Sequence, residues 1–252
     1  MDSLVSSNRL FNTGTAVGAP DIAAEHAALL GQLRRLADPG HRTGSLRVAP
    51  TAQSVLGVRT PASRSLARTW FREHPGWPAE ATLALAASLW SGHSRDERAL
   101  ALEILCLHPD LVDGLDRSRL DRWRSDVDNW GICDFLGFAI LGRWLLAVPG
   151  RRSYLDELIE DSDLWSRRLA LVATVRLNRE DDAYADITLR LVDRVVDERE
   201  PMITKAVSWA LREMIRRHPD RVADYLDRRG DRLAAIARRE VRNKLRTGRK
   251  RG

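Results

Sequence analysis

Cysteine is nearly absent from this chain of 252 residues. Its two thiols, Cys106 and Cys133, lie in apolar runs, and neither has a CxxC partner or a histidine at metal-ligand spacing. This scarcity excludes a disulfide framework and gives no support to a zinc site. A reducing cytoplasm is the compartment that fits such cysteine usage best.

Long hydrophobic runs are also missing, since no stretch reaches about 18 uninterrupted apolar residues. Residues 1–20 lack the cationic start and apolar run of a signal peptide, so we expect neither a signal peptide nor a membrane span. The chain has no HExxH, no Walker-type glycine loop, no GxGxxG and no GxSxG. Metalloprotease, nucleotide hydrolase, dinucleotide-dependent and serine hydrolase functions therefore lack support.

Charge is unevenly distributed although the net charge is only +6. Residues 228–252 hold eleven basic side chains against Asp231 and Glu240, a net charge of +9, so the rest of the chain carries −3. A basic terminal segment on an otherwise balanced body can anchor phosphates by releasing counterions. A tail that only increases solubility is the alternative.

Strict period-two alternation is not found either, and helical periodicity dominates. The pattern predicts an all-α protein, with residues 38–50 as an exposed loop. The predicted helices are 21–37, 51–56, 60–74, 78–91, 95–108, 116–126, 129–148, 151–161, 163–178, 182–198, 200–217, 219–228 and 231–246.

Predicted helices begin near residues 60, 95, 129, 163 and 200, at intervals typical of helical-hairpin solenoids. We therefore expect a right-handed solenoid of HEAT-like hairpins, with a concave face suited to an extended ligand. Residues 21–246 would form this single domain. Residues 1–20 are predicted to be a mobile segment, and residues 247–252 a basic tail.

Trp130 and Asp134 are four residues apart on one predicted helix, so their side chains share a face. An ionised carboxylate and the negative face of an indole both stabilise a sugar cation, which forms when a cationic purine leaves deoxyribose. Two alternatives remain open at this point: Trp130 packs in the core, and Asp134 is a structural ion-pair or capping residue.

Arg168 occupies the same place in the next unit that Asp134 occupies in its own, so it is a candidate for holding a phosphate near Asp134. A salt bridge to Asp163 or to a neighbouring helix is the alternative. In the following unit Lys205 precedes Trp209 by one turn. Lysine forms Schiff bases with abasic sugars, but it is far more often a phosphate contact or simply solvated.

Four segments, in the right order, resemble the DNA alkylation repair glycosylases of the AlkD-like family: residues 57–61, 129–134, 161–168 and 202–213. The match covers about residues 50–246, and its last segment is the most specific. The resemblance implies a monomeric, monofunctional DNA glycosylase that removes N3- and N7-alkylated purines from double-stranded DNA, without a metal or a cofactor.

Site roles also follow from the resemblance. Trp130 and Trp209 would flank the deoxyribose of the lesion, Asp134 would stabilise the oxocarbenium-like state and position water, and Arg168 would hold the backbone phosphate. The other basic residues that we expect to contact DNA are Lys205, Arg59, Arg212, Arg242 and Lys244.

Two positions depart from the family pattern. Val48 stands where relatives often carry a tyrosine, and Gly131 follows Trp130 where relatives often carry an acid. Both departures leave open whether the preferred adduct is methyl or bulky, and whether the role is base excision repair or self-resistance to an alkylating product. The alternative functions are a non-catalytic HEAT-like binder of branched or damaged DNA and a protein-interaction scaffold.

Overall fold

The computed structural model describes residues 19–180 and 182–250, and its regular elements in these ranges are helical, which confirms the all-α prediction. The α-helices are α1 (Ile22–Arg35), α2 (Pro39–Val48), α3 (Thr60–Glu73), α4 (Ala79–Trp90), α5 (Arg95–Cys106), α6 (Pro109–Asp113), α7 (Arg117–Ser125), α8 (Trp130–Phe135), α9 (Gly142–Ala147), α10 (Ser153–Ile159), α11 (Leu164–Glu180), α12 (Ala185–Arg194), α13 (Pro201–Met214), α14 (Pro219–Arg229) and α15 (Ala235–Thr247).

The predicted loop at residues 38–50 is wrong, because most of it forms α2. The Asp38 side chain caps this helix by accepting a hydrogen bond of 2.9 Å from the backbone N–H of His41. Pro39 at the first helical position has a dihedral angle φ that suits a helix and lacks an N–H that would need a partner. The Asp-Pro pair was the helix-start signal in a segment otherwise rich in loop residues.

The predicted helix at residues 51–56 is also wrong. Two distant carboxylates, one on α5 and one in the connection between α7 and α8, accept hydrogen bonds from backbone N–H groups here and hold an irregular conformation. Asp128 accepts from Ala52 at 2.7 Å, and Asp96 accepts from Leu56 and Val58 at 2.7 and 2.8 Å. These long-range bonds replace the local hydrogen bonds of a helix.

Gly57 follows that segment with a φ of 87°, in the left-handed region that favours glycine. A Cβ atom here would lie 2.5 Å from the carbonyl oxygen of Asp38. Glycine therefore lets the chain pass close to the start of α2 before α3 begins. This explains why the first residue of the motif at residues 57–61 is a glycine.

Helices α3, α5, α8, α11, α13 and α15 form a row in which each packs against the next. Helix α4 packs against α5, α10 and α12 pack against α11, and α14 packs against α13 and α15. The repeat period is visible in the side chains, because Arg190 bonds Asp156 and Arg232 bonds Asp197, at separations of 34 and 35 residues. The hand and concavity of the solenoid, and the domain bounds, stay predictions.

The helix Trp130–Ala147 is continuous but not uniform, since a π-helical segment, Leu136–Leu141, separates α8 from α9. Among the described residues it is the one helix with the length and apolar composition of a membrane span, and half of it is buried within the protein. Its neighbour α11 approaches closely at Gly142, where a Cβ atom would lie 2.6 Å from Cβ of Arg176.

Candidate active site

Trp130 opens α8 and is fixed from two sides. Asn129 caps the helix by accepting a hydrogen bond of 3.0 Å from the backbone N–H of Ile132. The Trp130 indole N–H donates to the carbonyl oxygen of Val48 at 2.8 Å, at the end of α2. The ring is half-buried, so the structure places it at the edge of the core with a defined orientation.

Asp134 meets Arg168 in a two-point salt bridge. Arg168 Nε donates to Asp134 Oδ1 and Nη2 donates to Oδ2, both at 2.8 Å. Nη1 donates to the carbonyl oxygen of Met202 in the first turn of α13. One guanidinium thereby joins α8, α11 and α13.

Arg168 forms a salt bridge to a neighbouring helix, and its contact with a phosphate stays a prediction. Its side chain is 5% exposed and bonds a neighbouring helix, as the salt-bridge interpretation predicts, while Asp163 instead caps α11 through the backbone N–H of Ser166 at 2.7 Å. The Asp134 side chain is 17% exposed, so part of it remains accessible beside its partner.

Burial raises the pKa of the Asp134 carboxyl above its ordinary value, and Arg168 acts in the opposite direction by hydrogen bonding and by its charge. Because both oxygens accept hydrogen bonds from a guanidinium, the pair favours the ionised form of the group. A carboxylate removed from bulk water attracts a nearby cation more strongly than a solvated one, because the local dielectric constant is lower.

Trp209 lies beside the helix that carries Asp134. Its ring is nearly parallel to that of Phe138, with an interplanar angle of 13° and ring centroids 6.4 Å apart. The guanidinium carbon of Arg179 lies 4.8 Å from the Phe138 centroid, and Glu213 holds this arginine at 2.9 Å. The sequence prediction missed Phe138 and Arg179, although Phe138 follows Asp134 by four residues.

The candidate DNA contacts fall into two groups. Lys205 and Arg242 are exposed and make no hydrogen bond or ion pair with the described part of the chain. The remaining cations are engaged within the protein: Arg59 with Asp38 at 2.9 Å, Arg212 with Ser208 at 3.1 Å, and Lys244 with the carbonyl oxygen of Gly248 at 2.6 Å.

A cleft of about 710 Å³, which we call the Trp130 cleft, lies beside the start of α8. Trp130, Gly131 and Phe135 line it together with Val48 from α2, whose side chain is 64% exposed. Asp134, Arg168 and Trp209 do not line it. Trp130 therefore lies next to two features: it is on the same helix as Asp134 of the charge pair, and it lines the cleft.

The Cys133 thiol is buried, and burial raises its pKa well above the ordinary value, which disfavours the nucleophilic thiolate. Within residues 19–180 and 182–250, no three His, Cys, Asp or Glu side chains come together in a group that could hold a metal ion.

A comparison with known protein families identifies the family to which this chain belongs. The family model described as DNA alkylation repair enzyme matches residues 29–245. The chain belongs to this DNA alkylation repair family. It accordingly has a role in the repair of alkylated DNA, with DNA as its partner.

Two solved structures share the fold of this repair family member. A predicted DNA alkylation repair enzyme from Enterococcus faecalis aligns with a TM-score of 0.69 and 17% identity, over 84% of this chain and 97% of its own. The smu.31 protein of Streptococcus mutans aligns with a TM-score of 0.51 and 18% identity, over 77% of this chain and 89% of its own. No curated protein sequence matches the chain.

Proposed function

We propose that the protein is a monofunctional DNA glycosylase that hydrolyses the N-glycosidic bond of N3- and N7-alkylated purines in double-stranded DNA. The observation that supports this most is the partly buried Asp134 carboxylate, fixed by Arg168 on the helix that begins with Trp130. Trp209 lies beside the same helix. Two indoles and one anion are the groups that a developing sugar cation requires.

The reaction begins with an alkylated purine that carries a positive charge. When the bond between C1′ and the base nitrogen breaks, its electron pair goes to the base, which leaves neutral, and C1′ becomes electron-poor. Asp134 stabilises that charge electrostatically. A water oxygen then attacks C1′, and its proton passes to Asp134 or to solvent, leaving an abasic sugar.

Arg168 positions Asp134 in this scheme and retains capacity for the DNA backbone. Three of its five N–H groups are used, two by Asp134 and one by the Met202 carbonyl. We propose that the other two N–H groups meet a phosphate oxygen at the 5% of this side chain that is exposed. Lys205 and Arg242, which lack partners in the described chain, supply further phosphate contacts.

The test incubates purified protein with duplexes that contain 7-methylguanine or 3-methyladenine and quantifies the released base. Asp134→Asn should lower release by more than tenfold, about 1.4 kcal/mol of transition-state stabilisation or more, with DNA affinity nearly intact. The matched control is Asp156→Asn, which weakens an Arg–Asp bridge with the same 34-residue separation on other helices. Its release rate should stay within about twofold of wild type.

Each other outcome has a distinct meaning. If wild type binds the duplexes but releases no base, the protein is a non-catalytic binder of damaged DNA. DNA affinity that does not change with salt concentration would indicate a protein-interaction scaffold. Equal loss of binding and release in Asp134→Asn would make Asp134 a structural residue.

We place this activity in the cytoplasm, at the nucleoid, and expect a monomer. The role is base excision repair or self-resistance to a DNA-alkylating product.

A further inference from the structure

The two indoles of the proposed site are held in different ways. The Trp130 ring donates a hydrogen bond to a backbone carbonyl group, whereas the Trp209 ring makes no hydrogen bond within the part of the chain that the structure describes. Trp209 is half-buried, and among the described residues its aromatic contact is with Phe138. The orientation of the Trp209 ring therefore depends on packing, and Phe138 is the flat surface that it meets.

The backbone that carries Phe138 is fixed against α11. Phe138 lies in the π-helical segment Leu136–Leu141, four residues after Asp134. The preceding residue, Gly137, packs so closely on α11 that a Cβ atom there would lie 3.0 Å from Cγ1 of Val172. Single π turns inside longer helices are rare and are frequently found at functional sites. The location of Phe138 is therefore a reason to ask what its side chain does.

A cation with a defined position packs on the Phe138 ring. The guanidinium carbon of Arg179 lies 4.8 Å from the ring centroid, where the electrons of the ring attract it. Glu213 accepts two hydrogen bonds from this arginine, at 2.9 and 3.1 Å, and the Glu213 side chain is only 9% exposed. The salt bridge fixes Arg179, and Arg179 in turn restricts the Phe138 ring.

These contacts form a closed set that returns to Trp209. Trp209 and Glu213 are four residues apart on α13, so their side chains lie on the same face of that helix. Phe138 contacts the first of them directly and the second through Arg179. Phe138 thus offers Trp209 a ring whose position α11 and α13 both determine, and the two rings are within 13° of parallel.

We propose that Phe138 is a positioning residue for base release: its ring sets the tilt of the Trp209 indole, so that the indole presents its face to the deoxyribose of the lesion. This inference rests on the proposed glycosylase function and adds a residue to its site. An indole attracts a sugar cation with its negative face and repels it with its positive edge, so the tilt matters. Phe138 acts through Trp209 and does not touch the reacting atoms.

The experiment measures release of 7-methylguanine in single-turnover reactions, with protein in excess over the duplex. Phe138→Leu keeps an apolar side chain but removes the flat ring, and release should slow by about fivefold or more. Phe138→Tyr keeps the ring, and its rate should stay within about twofold of wild type. The matched control is Phe71→Leu, because Phe71 is exposed near the end of α3 and its ring meets His108 instead. Its rate should also stay within about twofold.

A double-mutant cycle separates positioning from a general loss of structure. Trp209→Ala removes the indole through which Phe138 acts. In that background Phe138→Leu should change the release rate by less than about twofold, because no indole is left to orient. A structural role would slow release by the same factor whether or not Trp209 is present.

Three results would overturn the proposal while leaving the glycosylase function intact: release by Phe138→Leu at the wild-type rate, equally slow release by Phe138→Tyr, or equal slowing by Phe138→Leu in both backgrounds. If wild type itself releases no methylguanine, the proposed function fails and the role of Phe138 fails with it.

Discussion

Arg168 and Asp134 form two parallel hydrogen bonds of 2.8 Å across a separation of 34 residues, which is one structural repeat. The pair is much less exposed than the Arg190–Asp156 bridge, whose side chains are 48% and 46% exposed. The two bridges have the same chemistry and spacing, so their different burial predicts different consequences when each is broken.

Replacing Arg168 alone should be strongly destabilising. Arg168→Met leaves the Asp134 carboxylate poorly solvated and unpaired, and we expect a loss of about 3 kcal/mol in the free energy of unfolding. The double variant Asp134→Leu/Arg168→Met should recover most of that loss, because no unpaired charge remains. Arg190→Met, in the exposed bridge, should cost less than about 1 kcal/mol. Urea unfolding of the four proteins provides the comparison.

The rate of base release should increase with pH through the pKa of Asp134. Burial raises that pKa above its ordinary value, so the ionised and active form is lost at a higher pH than for a solvated aspartate. The same shift makes this group's contribution to stability fall as pH rises from the unfolded to the folded pKa. Initial rates from about pH 4 to pH 8, corrected for spontaneous depurination, measure the effect. A flat profile would contradict it.

The close contact between the Trp130–Ala147 helix and α11 should not tolerate a methyl group at Gly142. Because a Cβ there would meet the Cβ atom of Arg176 at 2.6 Å, Gly142→Ala has to separate the two helices, and we expect a destabilisation of about 1–3 kcal/mol. Gly31→Ala, a helical glycine with open surroundings, should instead stabilise the protein by about 0.5 kcal/mol. Chemical denaturation of both variants checks the opposite signs.

The exposed cations without partners should account for part of the salt dependence of DNA binding. Lys205→Gln and Arg242→Gln should each lower the slope of log K against log salt concentration by about 0.9, the effect of one lost phosphate contact on duplex DNA. Arg194→Gln removes the same net charge on α12, outside the helical row, where Arg194 pairs with Glu160 at 3.1 Å. Its slope should equal that of wild type.

Local patterns predicted much of the helical architecture. Prolines at helix starts and apolar periodicity located α3, α5, α11 and α13 within a few residues. The equivalent positions of Asp134 and Arg168 in successive units were also visible, and the structure shows that equivalence as direct contact. The spacing of the residues could not show that Arg168 donates three hydrogen bonds to groups within the protein.

The errors arose where long-range bonds outweigh local preference. The segment before Gly57 is held by Asp96 and Asp128, which lie about 40 and 76 residues further along the chain. The contact of Trp130 with the Val48 carbonyl depends on this segment and on α2, so neither the contact nor the cleft could be predicted. Val48 stands where relatives often carry a tyrosine, but it is the backbone carbonyl of Val48 that orients the indole.

The π-helical segment Leu136–Leu141 sets the rotational phase between two halves of one helix. A π turn holds one residue more than an α turn, which offsets everything beyond it by about 100°. The first half presents Asp134 to Arg168, and the second half points Arg143 at Asp113 and Trp144 at the Leu115 carbonyl oxygen. Deleting one residue from this segment would put the two halves out of phase, so that only one of them could keep its neighbours.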